Sequence, residues 1–309
     1  MGIVGRAESF RAVASLLGET GTDVVHWSDE DTDLSDFPFI ESVALSGLED
    51  VPLVFFCAPV EVARSLARKL GEVITGRHVL VHLSRDLEPG TMSTLSNVLR
   101  DETATHRFGF LTGPLRAEDV GSGRLSAAAV SSVFPEVHEL LEQYLVSSRF
   151  RLYRNRDLVG SEIAAAFTRI VAFVIGIARQ MNQGSCVEGI LFSRGLAETA
   201  ILVRRYGGQG RTPFGMAGAG NLYVDVAEPG SPEYLMGREM VRRGAFDVEE
   251  MTQEFGIAAQ TLGRLALSFA DTEGNVQLGI FDAVCRIVHG DLDAANAAQF
   301  LMELPVLDD

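Results

Sequence analysis

Over the first half of the chain, short apolar runs alternate with stretches whose apolar residues recur every three or four positions. Gly2–Val4, Asp23–Trp27, Val51–Cys57, Val79–Leu83, Phe108–Thr112, Ala127–Val130 and Arg149–Tyr153 read as strands. Between them, Ala7–Leu17, Glu61–Leu70, a stretch around Thr91–Leu99, and Glu136–Leu145 carry helical spacing. Strand, helix, strand in that order predicts an α/β domain of the Rossmann-like, dinucleotide-binding type. From Val159 onward the texture is helical throughout: Val159–Met181, Ser185–Tyr206, Met236–Gly244, Val248–Phe255, Gly256–Ala270 and Ile280–Val288. The change falls near residue 157. The predicted division is therefore an N-terminal Rossmann-like domain over 1–157 and an all-α C-terminal domain over 158–309, with no low-complexity linker.

Composition narrows the classes. A chain of 309 residues with 47% hydrophobic and 22% charged residues has the balance of a globular protein rather than a disordered one. At this size roughly 75% of the unfolded surface is buried on folding, so no staple is needed. The formal charge of −16 disfavours nucleic-acid or anionic-membrane partners, which are recognised through basic patches. The most apolar stretch, Ile170–Ala178, is too short to span a bilayer and reads as a buried helix. Cys57, Cys186 and Cys285 are far apart and unpaired in spacing, as in a cytoplasmic protein with reduced thiols. The N-terminus MGIVGRAESF shows no signal-peptide pattern. Lys69 is the one lysine; the other basic residues are arginines.

Candidate chemistry is sparse. The histidines at 26, 78, 82, 106, 138 and 289 have no metal-ligand spacing. His82, near the end of a strand where cleft residues gather, is a candidate alongside Arg85, but no acid partner is identifiable in the sequence. There is no Gly-x-Ser-x-Gly elbow and no Walker loop. The acidic stretch Asp29–Asp36 reads as a solvated loop.

Six segments in order carry a resemblance. They are Cys57-Ala58-Pro59, Ser84-Arg85-Asp86-Leu87-Glu88, Thr112-Gly113-Pro114, Phe150–Asp157, Ser193–Glu198 and Ala217–Leu222. Together they resemble the bacterial NAD(P)-dependent glycerol-3-phosphate dehydrogenase family over nearly the whole chain. That resemblance implies the same two-part fold, a homodimer formed through the helical domain, and hydride transfer between a secondary alcohol and nicotinamide. It also implies a lysine at the reacting oxygen, with cationic and amide groups for the substrate phosphate. The residues at those positions differ. Arg85 and Thr168 stand where the family has lysines, Asp86 replaces a glycine, and Arg169 replaces an asparagine. Asn221 replaces an aspartate, and Pro232 and Glu233 replace the phosphate-holding arginine and asparagine. An arginine keeps its proton at any working pH, and a glutamate repels a phosphate.

The family's Gly-x-Gly-x-x-Gly falls on Gly5 to Phe10. Gly5 is kept, Ala7 adds a methyl near the pyrophosphate position, and Phe10 replaces the glycine of close helix–strand packing. Further cofactor-binding candidates are Asp29 after the second strand, Ala58 and Pro59 as a ribose wall, Arg194, and Gln260 in place of a glutamate near nicotinamide. Asp29 hints at NAD over NADP, or merely opens the acidic loop; Arg194 faces the cleft, or pairs with Glu198 one turn on. The expectation is a catalytically degenerate relative, a nucleotide-responsive or protein-interaction module with NAD or NADP as its ligand. The alternative is an active NAD-dependent oxidoreductase on another substrate.

Overall fold

The computed structural model describes residues 1–7, 9–227, 229–270, 278–293, 296–297 and 299–300. It divides into two compact units, Met1–Ile163 with Gly207–Gln209, and the remainder from Ala164. The division falls inside a helix, a few residues past the change of texture at 157.

Unit 1 is built on one sheet of eight strands: β1 (Gly2–Val4), β2 (Val24–Trp27), β3 (Ile40–Ser42), β4 (Leu53–Phe56), β5 (Val79–His82), β6 (Arg107–Thr112), β7 (Ser126–Ser131) and β8 (Phe150–Asn155). Their spatial order is β3-β2-β1-β4-β5-β6-β7-β8. All neighbours run parallel except β6 and β7. The central strands β4 (LVFF) and β5 (VLVH) are buried at every position, which is why they read as continuous apolar runs rather than alternating ones. His82 is the polar exception.

The helices of this unit are α1 (Ser9–Gly18), α2 (Val60–Leu70), α3 (Leu95–Glu102), α4 (Ala117–Gly121) and α5 (Pro135–Leu145). In α2 the buried residues are Val60, Ala63, Leu66, Ala67 and Leu70, an i, i+3, i+4 stripe. Two short elements escape the sequence pattern. β3 buries only Ile40, so it has no alternation to read, and α4 has a single buried residue, Val120. α3 starts at Leu95 rather than Thr91, because Thr91 bonds its hydroxyl to Glu88 and Met92 adopts φ +55°.

Unit 2 consists of α6 (Leu158–Gln180), which begins in unit 1, then α7 (Ser185–Arg205), α8 (Asn221–Val226), α9 (Pro232–Arg243), α10 (Val248–Phe255), α11 (Ile257–Ala270) and α12 (Gly279–Val288). α6 is long and apolar enough to cross a membrane, but 89% of its most apolar window is buried inside the protein. It is the central core helix. α9 opens earlier than the hydrophobic pattern implies, because Ser231 accepts from the Tyr234 amide and Pro232 occupies the first turn. Gly244, at φ +87°, ends it in the left-handed region.

α6 and α9 cross at two glycines. A Cβ on Gly176 would lie 2.1 Å from the Tyr234 carbonyl oxygen, and one on Gly237 would lie 2.0 Å from that of Phe173. Neither backbone oxygen can swing away. Gly176→Ala is therefore expected to cost ~1–3 kcal/mol through overpacking, read as a lower denaturant midpoint. An unchanged midpoint would contradict this packing.

Candidate functional site

The first candidate region is the turn between β1 and α1. Gly5 takes φ +86°, and a side chain there would meet the Cys57 carbonyl oxygen at 2.6 Å and the Ala58 Cα at 3.3 Å. Only glycine fits, because the chain must turn left-handed against the end of β4. The Gly5 amide donates to Trp27 and the Ala7 amide to the Cys57 carbonyl at 2.8 Å. The turn is thus stitched to β2 and to the Cys57-Ala58-Pro59 segment. His26 Nε2 donates to the Gly5 carbonyl at 3.0 Å. Burial pushes His26 below its usual range, against the opposing pull of that carbonyl, which suits a neutral ring donor. Phe10 is an interior residue here, its ring edge-on to His26 at 5.2 Å and to Phe37 at 5.6 Å.

Asp29 is held by the one lysine in the chain: Lys69 Nζ donates to Oδ2 at 3.1 Å. The acidic segment is therefore not merely solvated. Arg6 pairs with Glu30 and Arg11 with Asp36 as well, so three cations from three places fasten it. Cys57 is fully buried, and burial pushes its thiol up to about 12 despite a hydrogen bond from Ser9.

After β5 the structure supplies what the sequence did not disclose. His82 Nε2 lies 3.1 Å from Glu162 Oε1 and 3.0 Å from Ser96 Oγ, and the Ser96 amide donates to the same carboxylate oxygen at 2.9 Å. The imidazole stacks on Phe110, with ring centroids 4.8 Å apart. His82, Ser96 and Glu162 are all buried. Serine and carboxylate share one ring nitrogen, which is not the relay geometry of a nucleophilic triad, where the two ring nitrogens have separate partners. The acid had one sequence signal, a lone glutamate among apolar residues in the first turns of α6. Arg85 is half-buried in the loop that follows, where the neighbouring Asp86 amide bonds Ser84 Oγ at 3.3 Å.

In unit 2, Thr168 is fully buried and gives its hydroxyl to the Ala164 carbonyl of its own helix at 2.9 Å. Its neighbour Arg169 forms an ion pair with Glu233 on α9. Nε donates to Oε1 at 2.8 Å, Nη2 donates to the same oxygen, and the side chains are 13% and 4% exposed. Asn221 is buried at the start of α8, directly after a π-helical turn over Met216–Gly220, and its Nδ2 donates to Ala217 at 2.9 Å.

Arg194 pairs with Glu198 at 3.1 Å. Glu198 is fully buried, and it also accepts from the Ile280 amide at 2.9 Å and from the Phe281 amide at 3.4 Å. It thereby caps the start of α12. Burial drives its carboxyl above the usual range, opposed by Arg194 and those two amides. Gln260 is exposed on α11. Thus Gly5, Ala7, Phe10, Ala58 and Pro59 are brought together around one turn. Asp29 is turned to Lys69, Arg194 pairs with Glu198, and Thr168 is bonded to its own helix.

A glycine turn closing the first strand of a mainly parallel sheet, with a helical unit following, defines a dinucleotide-fold protein of the two-part dehydrogenase class. The family description NAD-dependent glycerol-3-phosphate dehydrogenase N-terminus matches residues 40–137, and its C-terminus counterpart matches 157–299. The chain is 30% identical over 267 residues to the glycerol-3-phosphate dehydrogenase [NAD(P)+] of Rhizobium johnstonii, covering 86% of this chain and 79% of that one. It is 27% identical to that of Levilactobacillus brevis, covering 97% and 96%. The crystal structure of the Coxiella burnetii glycerol-3-phosphate dehydrogenase superposes with a TM-score of 0.85 at 24% identity, covering 98% of each chain. The chain belongs to the NAD-dependent glycerol-3-phosphate dehydrogenase family.

The thiols give a direct check on the burial described here. Cys57 and Cys285 are buried with raised pKa values, and Cys186 is exposed. Ellman titration at pH 8 should therefore count one fast thiol in the native protein and three after denaturation. Fast reaction of Cys57 would contradict the closed turn.

Proposed function

We propose that this protein keeps the family's two-part fold without the family's chemistry, and acts through binding as a nucleotide-responsive or protein-interaction module. The supporting observation is the Arg169–Glu233 pair. The resemblance assigns an asparagine to each of these two positions, the second of them holding the substrate phosphate. Here an arginine and a glutamate stand there, and they neutralise each other in a nearly dry interior. A substrate phosphate would have to displace Glu233 from Arg169, and doing so would leave a buried carboxylate unpaired. Thr168, where the resemblance assigns a lysine, carries no charge and spends its hydroxyl on its own helix. Arg85, where it assigns the other lysine, cannot cycle as a base. Losing one electrostatic group of this kind typically costs about a hundred- to a thousandfold in rate, and several are replaced at once.

The retained turn supports the nucleotide arm of the proposal. Gly5 still has its left-handed conformation against Cys57 and Ala58, and the cofactor class it would take is NAD or NADP. A homodimer, carried from the family's fold, and a cytoplasmic location, argued from the widely spaced cysteines, are part of the same proposal. An active oxidoreductase on a cationic or uncharged substrate is the weaker alternative. Its acid, Glu233, is already neutralised by Arg169, and its candidate base, His82, is wholly enclosed.

The test is a pair of measurements on purified protein. Oxidation of glycerol 3-phosphate with NAD or NADP should be undetectable, while NADH changes the fluorescence of Trp27, the only tryptophan, at the end of β2. Turnover that co-purifies with the chain would overturn the proposal. A flat NADH titration, confirmed by calorimetry, would remove the nucleotide arm and leave the protein-interaction one.

A further inference from the structure

The segment between β2 and β3 carries five carboxylates in eight residues, Asp29, Glu30, Asp31, Asp33 and Asp36. Repulsion alone would push such a segment away from its own sheet. Instead it is bound at both ends. At its far end Phe37 is buried against Phe10 and crossed by Phe39, with ring centroids 6.2 Å apart, and Leu34 packs on the same cluster. There Arg11 also pairs with Asp36, while toward β2 the attachment is ionic, through Lys69–Asp29 and Arg6–Glu30.

The last pair stands out by position. Arg6 follows Gly5 directly in the β1–α1 turn, the place in a doubly wound sheet where the phosphates of a dinucleotide lie. Its guanidinium donates to the Glu30 carboxylate. Arginine suits phosphate oxygens because it presents parallel N–H donors at the right spacing. Here Glu30 takes that place with a single oxygen, Oε2, on Arg6 Nη2.

The geometry points to Arg6 as the phosphate-binding residue of the turn and to Glu30 as an internal anion that occupies it until a pyrophosphate-bearing nucleotide displaces it. The inference rests on the nucleotide arm of the proposed function and adds its regulation. The exchange is energetically light. Arg6 and Glu30 are 51% and 62% exposed, and exposed pairs are worth about 0–1 kcal/mol, so a dianionic pyrophosphate competes well with a single carboxylate. Displacement frees the Glu30 side chain alone, because Lys69 still holds Asp29, Arg11 still holds Asp36 and Phe37 stays buried. Nucleotide binding would thereby release one unpaired carboxylate onto an acidic surface, a change a protein partner could read.

The test is NADH titration of wild type, Glu30→Gln, Arg6→Gln and the double variant, followed by Trp27 fluorescence and checked by calorimetry. Both residues are exposed, so all four proteins should unfold at closely similar midpoints. Glu30→Ala repeats the test should the glutamine variant prove unstable. Glu30→Gln is expected to bind NADH roughly two- to fivefold more tightly, Arg6→Gln more weakly than wild type, and the gain from Glu30→Gln should vanish in the Arg6→Gln background. An affinity unchanged by Glu30→Gln, or an equal gain without Arg6, would overturn the inference and leave the nucleotide reading standing. Absence of NADH binding in all four would overturn both.

Discussion

A charge buried in a protein interior must be matched within it, and that constraint organises both units of this molecule. Glu162, Glu198 and Glu233 are each almost wholly enclosed. Each meets a partner from another element or from the next turn of its helix: His82 and the Ser96 amide, Arg194 and the amides of α12, and Arg169. Removing one member of the Arg169–Glu233 pair typically costs about 3–5 kcal/mol, because the other is left charged and unsolvated. These buried carboxyl groups thereby hold helices in place. Glu162 fixes the first turns of α6 to the strand end at His82, Glu198 seats α12 on α7, and Glu233 joins α9 to the middle of α6.

The same economy appears around the glycine turn. Its geometry survives because Gly5 is squeezed against the end of β4, where no Cβ fits. Its surroundings are apolar and acidic: Phe10 packs on His26 and Phe37, and Arg6, Arg11 and Lys69 each hold a carboxylate of the acidic segment. The turn therefore retains the shape of a dinucleotide site while its charge environment is governed by the chain's own carboxylates.

Much of the fold was legible in the sequence because it is written in local periodicity. The β4 and β5 runs and the stripe on α2 state their burial directly, and the switch to long helices marks the change of architecture. β3 and α4 were not legible, since each buries a single side chain and leaves no period to detect. For the site, sequence identified which residues stand at the positions the resemblance singles out, but not what those residues contact. Arg169 and Glu233 lie 64 residues apart, and Glu162 and Ser96 lie 66 apart, so no local pattern joins them. Arg194 and Glu198 were the exception, because one helical turn separates them and the spacing itself proposes the pair. The role of Lys69 was also invisible, resting on a contact across 40 residues.

The central claim is that Arg169 and Glu233 are committed to each other rather than to a ligand. A double-mutant cycle on equilibrium unfolding tests it most directly, with Arg169→Met, Glu233→Gln and the two combined. Mutual commitment predicts that each single change costs ~3–5 kcal/mol and that the double costs less than their sum, with a coupling of ~1–3 kcal/mol. Single changes that are nearly neutral, or that simply add, would show the two side chains to be independent, and would contradict the account.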